Sequence, residues 1–317
     1  MYTYRQIFKQ AFKIAWEHPA FWFFGFFLAF VGSAGEIELL LGGYGFSVDG
    51  FIISFWEGLF GAGFFSLNTL KGIAGLLAVN PFSVLVFLLL SMVALGLMAV
   101  VIWLIIVSQS AVISGAIGAS KNKNVSFAEG FFTGLKNFWP VLGLNFVLRI
   151  VTWGLFILTA LLSILDFPGS ALIYIIFFDI FLILTLIASF VVKYAICGVI
   201  LKNSSFKDSI KQAWQIFRSN WLLSFEIATI LFLIYVVTNG LLLFFLPLML
   251  LYALKIFVSF TLGIYLIIFA LLVFFIFIEI ILAIFHWASW AIVFELITRK
   301  ENTISSFIKG GFRKIFS

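Results

Sequence analysis

Three ionisable side chains stand in stretches that are otherwise apolar: Arg149, Asp179 and Glu279. An ionised group at bilayer depth is costly and is a functional suspect by default. An arginine with one or two carboxylates in a dry helix bundle does one of two things. It clamps helices together, or it holds an anionic solute while the acids neutralise it in the empty state. His286 follows Glu279 by seven residues, so the two share a helical face. A His–Glu face suits proton relay, whereas a metal site needs three or four ligands and only these two are evident. Lys193 and Glu226 make a second candidate pair near the cytoplasmic ends of neighbouring spans, where Lys193 can also snorkel. The chain has no P-loop, HExxH, GxSxG or Cys–His pairing. No enzymatic activity, cofactor or metal is therefore expected.

The elements that must position these groups follow from composition. Of 317 residues, 64% are hydrophobic, 20% aromatic and only 10% charged. A soluble domain carries about 25% charged residues, and no soluble globule of this size can hide so much apolar surface. A soluble enzyme, a nucleic-acid binder and a disulfide scaffold are excluded. Cys197 is the only cysteine and sits in an apolar run, where it reads as a small inert hydrophobe. The fold class is all-α: a polytopic transmembrane bundle of about six spans. The spans read as Ala20–Ala34, a segment within Pro81–Ser120, Trp139–Leu165, Ser170–Leu201, Trp221–Asn239 and a segment within Ile256–Thr298. Residues 51–79 carry Glu57, Asn68, Lys71 and many glycines, which suits an interfacial or re-entrant segment better than a seventh span.

Charge placement orients the bundle. Fifteen of the 19 basic residues fall on one side: Arg5, Lys9, Lys13, Lys121, Lys123, Lys136, Lys202, Lys207, Lys211, Arg218, Arg299, Lys300, Lys309, Arg313 and Lys314. The positive-inside rule puts that side, and both termini, in the cytoplasm. Arg5, Lys9 and Lys13 ahead of Phe21–Val31 have the outline of a signal peptide, but the aromatic, amphipathic start argues that the segment is retained.

The basic segments resemble one another. They read TYRQIFKQAFKIAW from Thr3, SFAEGFFTGLKNFW from Ser126, SFKDSIKQAWQIFR from Ser205 and TISSFIKGGFRKIF from Thr303. Each opens on Ser or Thr, and Gln6, Glu129 and Asp208 stand where a capping box needs them. Eight residues after the start comes a small residue (Ala11, Gly134, Ala213, Gly311), followed by a large apolar one (Phe12, Leu135, Trp214, Phe312). This is the pattern of basic amphipathic helices lying in a membrane interface, with the small residue pressed on a neighbouring span. Lys9, Lys13, Lys136, Lys207, Lys211, Lys309 and Arg313 would face anionic head groups, and Trp214 would sit at the interface. Residues 1–317 read as a single integral membrane domain, with repeat units starting near residues 3, 126, 205 and 303 and an external Gly/aromatic-rich connection over 35–80.

These Ser-Phe-x-x-(Ala/Gly) segments between long Phe/Leu/Ile-rich spans make the chain similar to the membrane-domain family of glycerophosphoryl diester phosphodiesterases and to related six-span bacterial proteins. In that family the catalytic barrel is a separate soluble domain, and nothing here matches it. The resemblance implies a membrane module without hydrolysis. The expected role is that of a non-enzymatic, lipid-associated or organisational module of a bacterial cytoplasmic membrane. Its partners would be the bilayer, anionic head groups and other membrane proteins, with no nucleic acid. The alternative is a small transporter or channel component built on Arg149, Asp179 and Glu279.

Overall fold

The computed structural model describes residues 4–29, 81–123, 126–163, 170–257 and 261–298. Among them every regular element is a helix: α1 (Tyr4–Glu17), α2 (Ala20–Ala29), α3 (Pro81–Ser120), α4 (Phe127–Lys136), α5 (Phe138–Ser163), α6 (Ser170–Lys202), α7 (Phe206–Phe257) and α8 (Thr261–Thr298). Five of these, α3, α5, α6, α7 and α8, are long and apolar enough to cross a membrane. The protein is an all-α, multi-pass membrane protein. The segments from Thr303 and over 35–80, with Lys309 and Arg313, lie outside the described residues, as do Thr3 and Arg299.

Local chemistry explains where the helices start and stop. Ser205 caps α7: its Oγ accepts from the Asp208 N–H at 3.3 Å and donates to the Asp208 carboxylate at 2.5 Å. Ser126 stands at the N-cap of α4 but its side chain makes no capping hydrogen bond. The helices α3 and α6 both run out through a Lys-Asn pair. Asn122 and Asn203 adopt positive φ, 55° and 51°, the left-handed turn that asparagine tolerates best after glycine. The shared Lys121-Asn122 and Lys202-Asn203 stops are a local signal that reading for amphipathic segments alone passes over.

The first expected span is described over its first 10 residues as α2 (Ala20–Ala29), and residues 30–34 lie outside the described residues. Helix α2 folds back on α1: Trp22 Nε1 donates to the Ala15 carbonyl at 3.0 Å across the His18-Pro19 turn. Proline there ends α1, because the residue before it is pushed out of the helical region. The fifth span does not stop at Asn239. Helix α7 continues through Pro247 to Phe257, and its only non-helical backbone is at Asn220 (φ −132°, ψ 28°). That break separates the basic segment 206–219 from the apolar one. Pro247 removes one backbone donor, which an apolar helix in lipid accommodates.

The chain divides into two compact units, residues 1–34 with 105–317, and residues 35–104. In the second, the described stretch of α3 turns large apolar side chains such as Leu88 and Leu97 outward. In the first, the buried core is concentrated at one end of the helices. It takes Ile106–Ile117 of α3, Phe190–Ile200 of α6 and Ile280–Phe294 of α8. Around these pack α1, α2, α4 and the starts of α5 and α7, through Ile7, Phe24, Val141 and Ala213 among others. The opposite halves of α6, α7 and α8 expose residues such as Ile180, Leu243 and Phe269, as apolar helices do where the surrounding medium is lipid.

Candidate functional site

The amphipathic segments meet the core through their small residues. Ala11, Gly134 and Ala213 are all buried. At Gly134 the approach is closest: a Cβ there would stand 2.5 Å from the Val107 carbonyl oxygen of α3. Only a residue without a side chain lets α4 lie this near another backbone. Of the large residues that follow, Phe12 and Trp214 are both about half exposed, at 53% and 50%, and Leu135 is half-buried. Lys9, Lys13, Lys136, Lys207 and Lys211 are exposed, while Phe206 and Ile210 are half-buried against the core. Each described segment thus has three sides: small and inward, large and apolar on the flank, cationic outward.

The structure assembles a polar layer inside the core. Lys193 of α6, only 5% exposed, places its Nζ 5.0 Å from the centroid of the Trp290 ring. The Trp290 indole is fully buried and stacks edge-on to Tyr194. Tyr194 shares a hydrogen bond of 2.8 Å with Ser224 of α7. On the far side of the same turn, Glu226 accepts a hydrogen bond from the Tyr4 hydroxyl of α1. Lys193 therefore does not snorkel to the membrane surface as the sequence allowed: the Trp290 face draws it into the bundle. His286 is also buried, with its ring against Trp287 and Trp290. Two amides that sequence reasoning passed over, Gln109 of α3 and Asn145 of α5, join those helices by a 2.8 Å hydrogen bond.

The three intramembrane charges take different settings. Arg149 on α5 and Asp179 on α6 have exposed side chains. Glu279 on α8 is half-buried and hydrogen-bonded to Asn239 of α7, while its Oε1 is buried without a hydrogen bond among the described residues. No group of three or more His, Cys, Asp and Glu side chains comes together among the described residues in a way that could hold a metal ion. At the other end of α8, Glu295 makes an ion pair of 2.9 Å with Lys121, at the end of α3. Arg299, one turn on from Glu295, lies outside the described residues. Cys197 is buried in the core.

Chemically this arrangement can hold helices together and present a basic, aromatic-edged surface. Comparison of the chain with protein-family models, with curated proteins and with solved structures gives no match.

Proposed function

We propose that this protein is a non-enzymatic, lipid-associated module of a bacterial cytoplasmic membrane, with both termini on the cytoplasmic side. In this reading the basic segments are copies of one device for engaging anionic phospholipid, and the spans hold that device in the membrane. The observation that carries it is the common three-sided placement of the segments around Ala11, Gly134 and Ala213, small side in and cations out. Cations on such a surface gain about 1 kcal/mol each near anionic lipid. The resemblance to phosphodiesterase membrane domains points the same way, toward a membrane module without hydrolysis.

The test is reconstitution into nanodiscs of phosphatidylcholine with increasing phosphatidylglycerol bearing brominated head-group-proximal chains. Tryptophan quenching should rise more steeply with the anionic lipid than with brominated phosphatidylcholine, and Lys207→Glu with Lys211→Glu should flatten it. Equal quenching by both lipids would count against the reading. The transport alternative keeps one supporting observation, the Glu279 Oε1 buried without a hydrogen bond. It calls for a solute path to that oxygen, and flux in proteoliposomes that Glu279→Gln abolishes.

A further inference from the structure

A groove of about 440 Å³ runs between α1, α7 and α8. Its walls include Phe12 and Trp16 of α1, Ile234 of α7, and Phe277, Ile281 and Phe285 of α8, and Thr238 is the one polar residue that lines it. A polar solute finds almost nothing to bond with there. The volume lies in the range of small-molecule sites, roughly 300–1,000 Å³. The groove's volume suits part of one acyl chain.

The groove also has a direction. Phe8 and Phe12 pack on Phe285, and Trp16 packs on Phe277. Helix α1 therefore runs antiparallel along α8 over about 12 Å, eight residues at helical rise. Cations stand at the Phe285 end. Arg5 lies three residues before Phe8 and Lys9 directly after it, and both are exposed. Among the described residues no carboxylate pairs with Arg5 or Lys9, whereas Lys13, further along, has Glu17 at 3.6 Å. One end of the groove is basic and exposed, and the other lies at Trp16 and Phe277. An amphiphile with an anionic head and a single extended chain has the same polarity.

Resting on the lipid-associated reading, we infer that this groove is a specific site for one acyl chain of an anionic phospholipid, whose phosphate lies against Arg5 and Lys9. Inside a bilayer an apolar groove gains little over lipid itself, because the surrounding tails are as apolar as its walls. Selectivity must therefore come from the head-group end, which is why the occupant is anionic. The rings of Phe12 and Trp16 then orient the chain along α8.

Native mass spectrometry of the full chain, released from nanodiscs of equimolar phosphatidylglycerol and phosphatidylcholine with identical chains, tests this. The protein should retain one phosphatidylglycerol in preference to phosphatidylcholine, on the order of tenfold as two cations allow. Arg5→Gln with Lys9→Gln should erase the preference, and Thr238→Phe, which fills the groove, should remove the bound lipid. Gly154→Ala, in α5 with open space around it, should leave it. Unchanged retention in both the Arg5/Lys9 and the Thr238 variants would place the lipid elsewhere and overturn the groove site while the broader reading survives. No anionic preference in the unaltered protein would overturn both. Benzoylphenylalanine at position 12 separates the remaining occupants. It should cross-link phospholipid, and a cross-link to a second copy or to residues 301–317 would overturn the proposal.

Discussion

The Lys193 ammonium stands 5.0 Å from the centroid of the Trp290 indole, and both side chains are buried. A desolvated cation over a tryptophan face is worth about 2 kcal/mol, so the ring holds the charge in the core. Removing the ring while keeping the charge should be costly. Trp290→Leu is expected to lose about 3–5 kcal/mol through the cavity and the lost ring contact together. Trp290→Phe keeps a ring face, and the indole N–H has no hydrogen bond to lose among the described residues, so it should cost far less. A double-mutant cycle with Lys193→Met, read by thermal unfolding in detergent, should give a coupling of about 1–2 kcal/mol. Additive effects would mean that the contact contributes nothing.

Gly134 is where a single methyl group should matter. Its Cβ would stand 2.5 Å from the Val107 carbonyl oxygen and 2.6 Å from Val107 Cγ1, and backbone cannot move aside as a side chain can. Gly134→Ala should therefore destabilise by about 1–3 kcal/mol, the usual range for overpacking. Gly154, in α5, has nothing within 4 Å of the same construction. There Gly154→Ala should gain about 0.5–1 kcal/mol from helix propensity. The two melting temperatures should move in opposite directions.

The caps make a matched pair. Ser205 bonds the Asp208 N–H and carboxylate, while the Ser126 side chain makes no capping bond. Ser205→Ala should cost about 1 kcal/mol, and Ser126→Ala should stay within ~0.5 kcal/mol, as surface changes away from such features do. Equal losses at the two positions would show that the α4 cap forms in the membrane.

What could be read ahead of the structure was whatever leaves a period or a boundary in the residue order. Small residues at fixed offset from a Ser or Thr marked the inward faces at Ala11, Gly134 and Ala213. The start of the fifth span at Trp221 fell directly after the break in α7 at Asn220. The interior of the long helices was not readable in the same way. Helices α3, α6 and α8 are apolar on every side, so periodicity does not reveal which face packs. Nothing local told that Lys193 points inward while Arg149 and Asp179 are exposed. Nor could spacing find Tyr4 as the partner of Glu226, because the two stand 222 residues apart and meet only when α1 docks. Glu295 shows the same limit. Its i+4 neighbour in the residue order is Arg299, whereas its partner Lys121 stands at the end of another helix.

That Lys121–Glu295 pair is partly exposed, with side-chain exposures of 36% and 20%. Solvent screening holds such a pair to about 0–1 kcal/mol. Its value is in register, because it ties the end of α3 to the end of α8. Lys121→Glu alone should lower the melting temperature at low salt and less so at high salt. Adding Glu295→Lys should restore it. Failure of the swap to restore it would mean that each charge acts through other neighbours.

Glu279 separates the two readings of the intramembrane charges. Its carboxylate is hydrogen-bonded to Asn239, and Oε1 is buried without a bond among the described residues. If the group only joins α7 to α8, an uncharged amide serves as well. Glu279→Gln should then melt at or above the unaltered temperature, because an amide is cheaper to bury than a charge. Glu279→Leu should lose about 1–2 kcal/mol, as the Asn239 amide loses a partner. If the group serves transport, Glu279→Gln should fold normally and still abolish solute flux. Stability and flux measured on that one variant therefore give different answers for the two roles, which a variant that merely unfolds could not do.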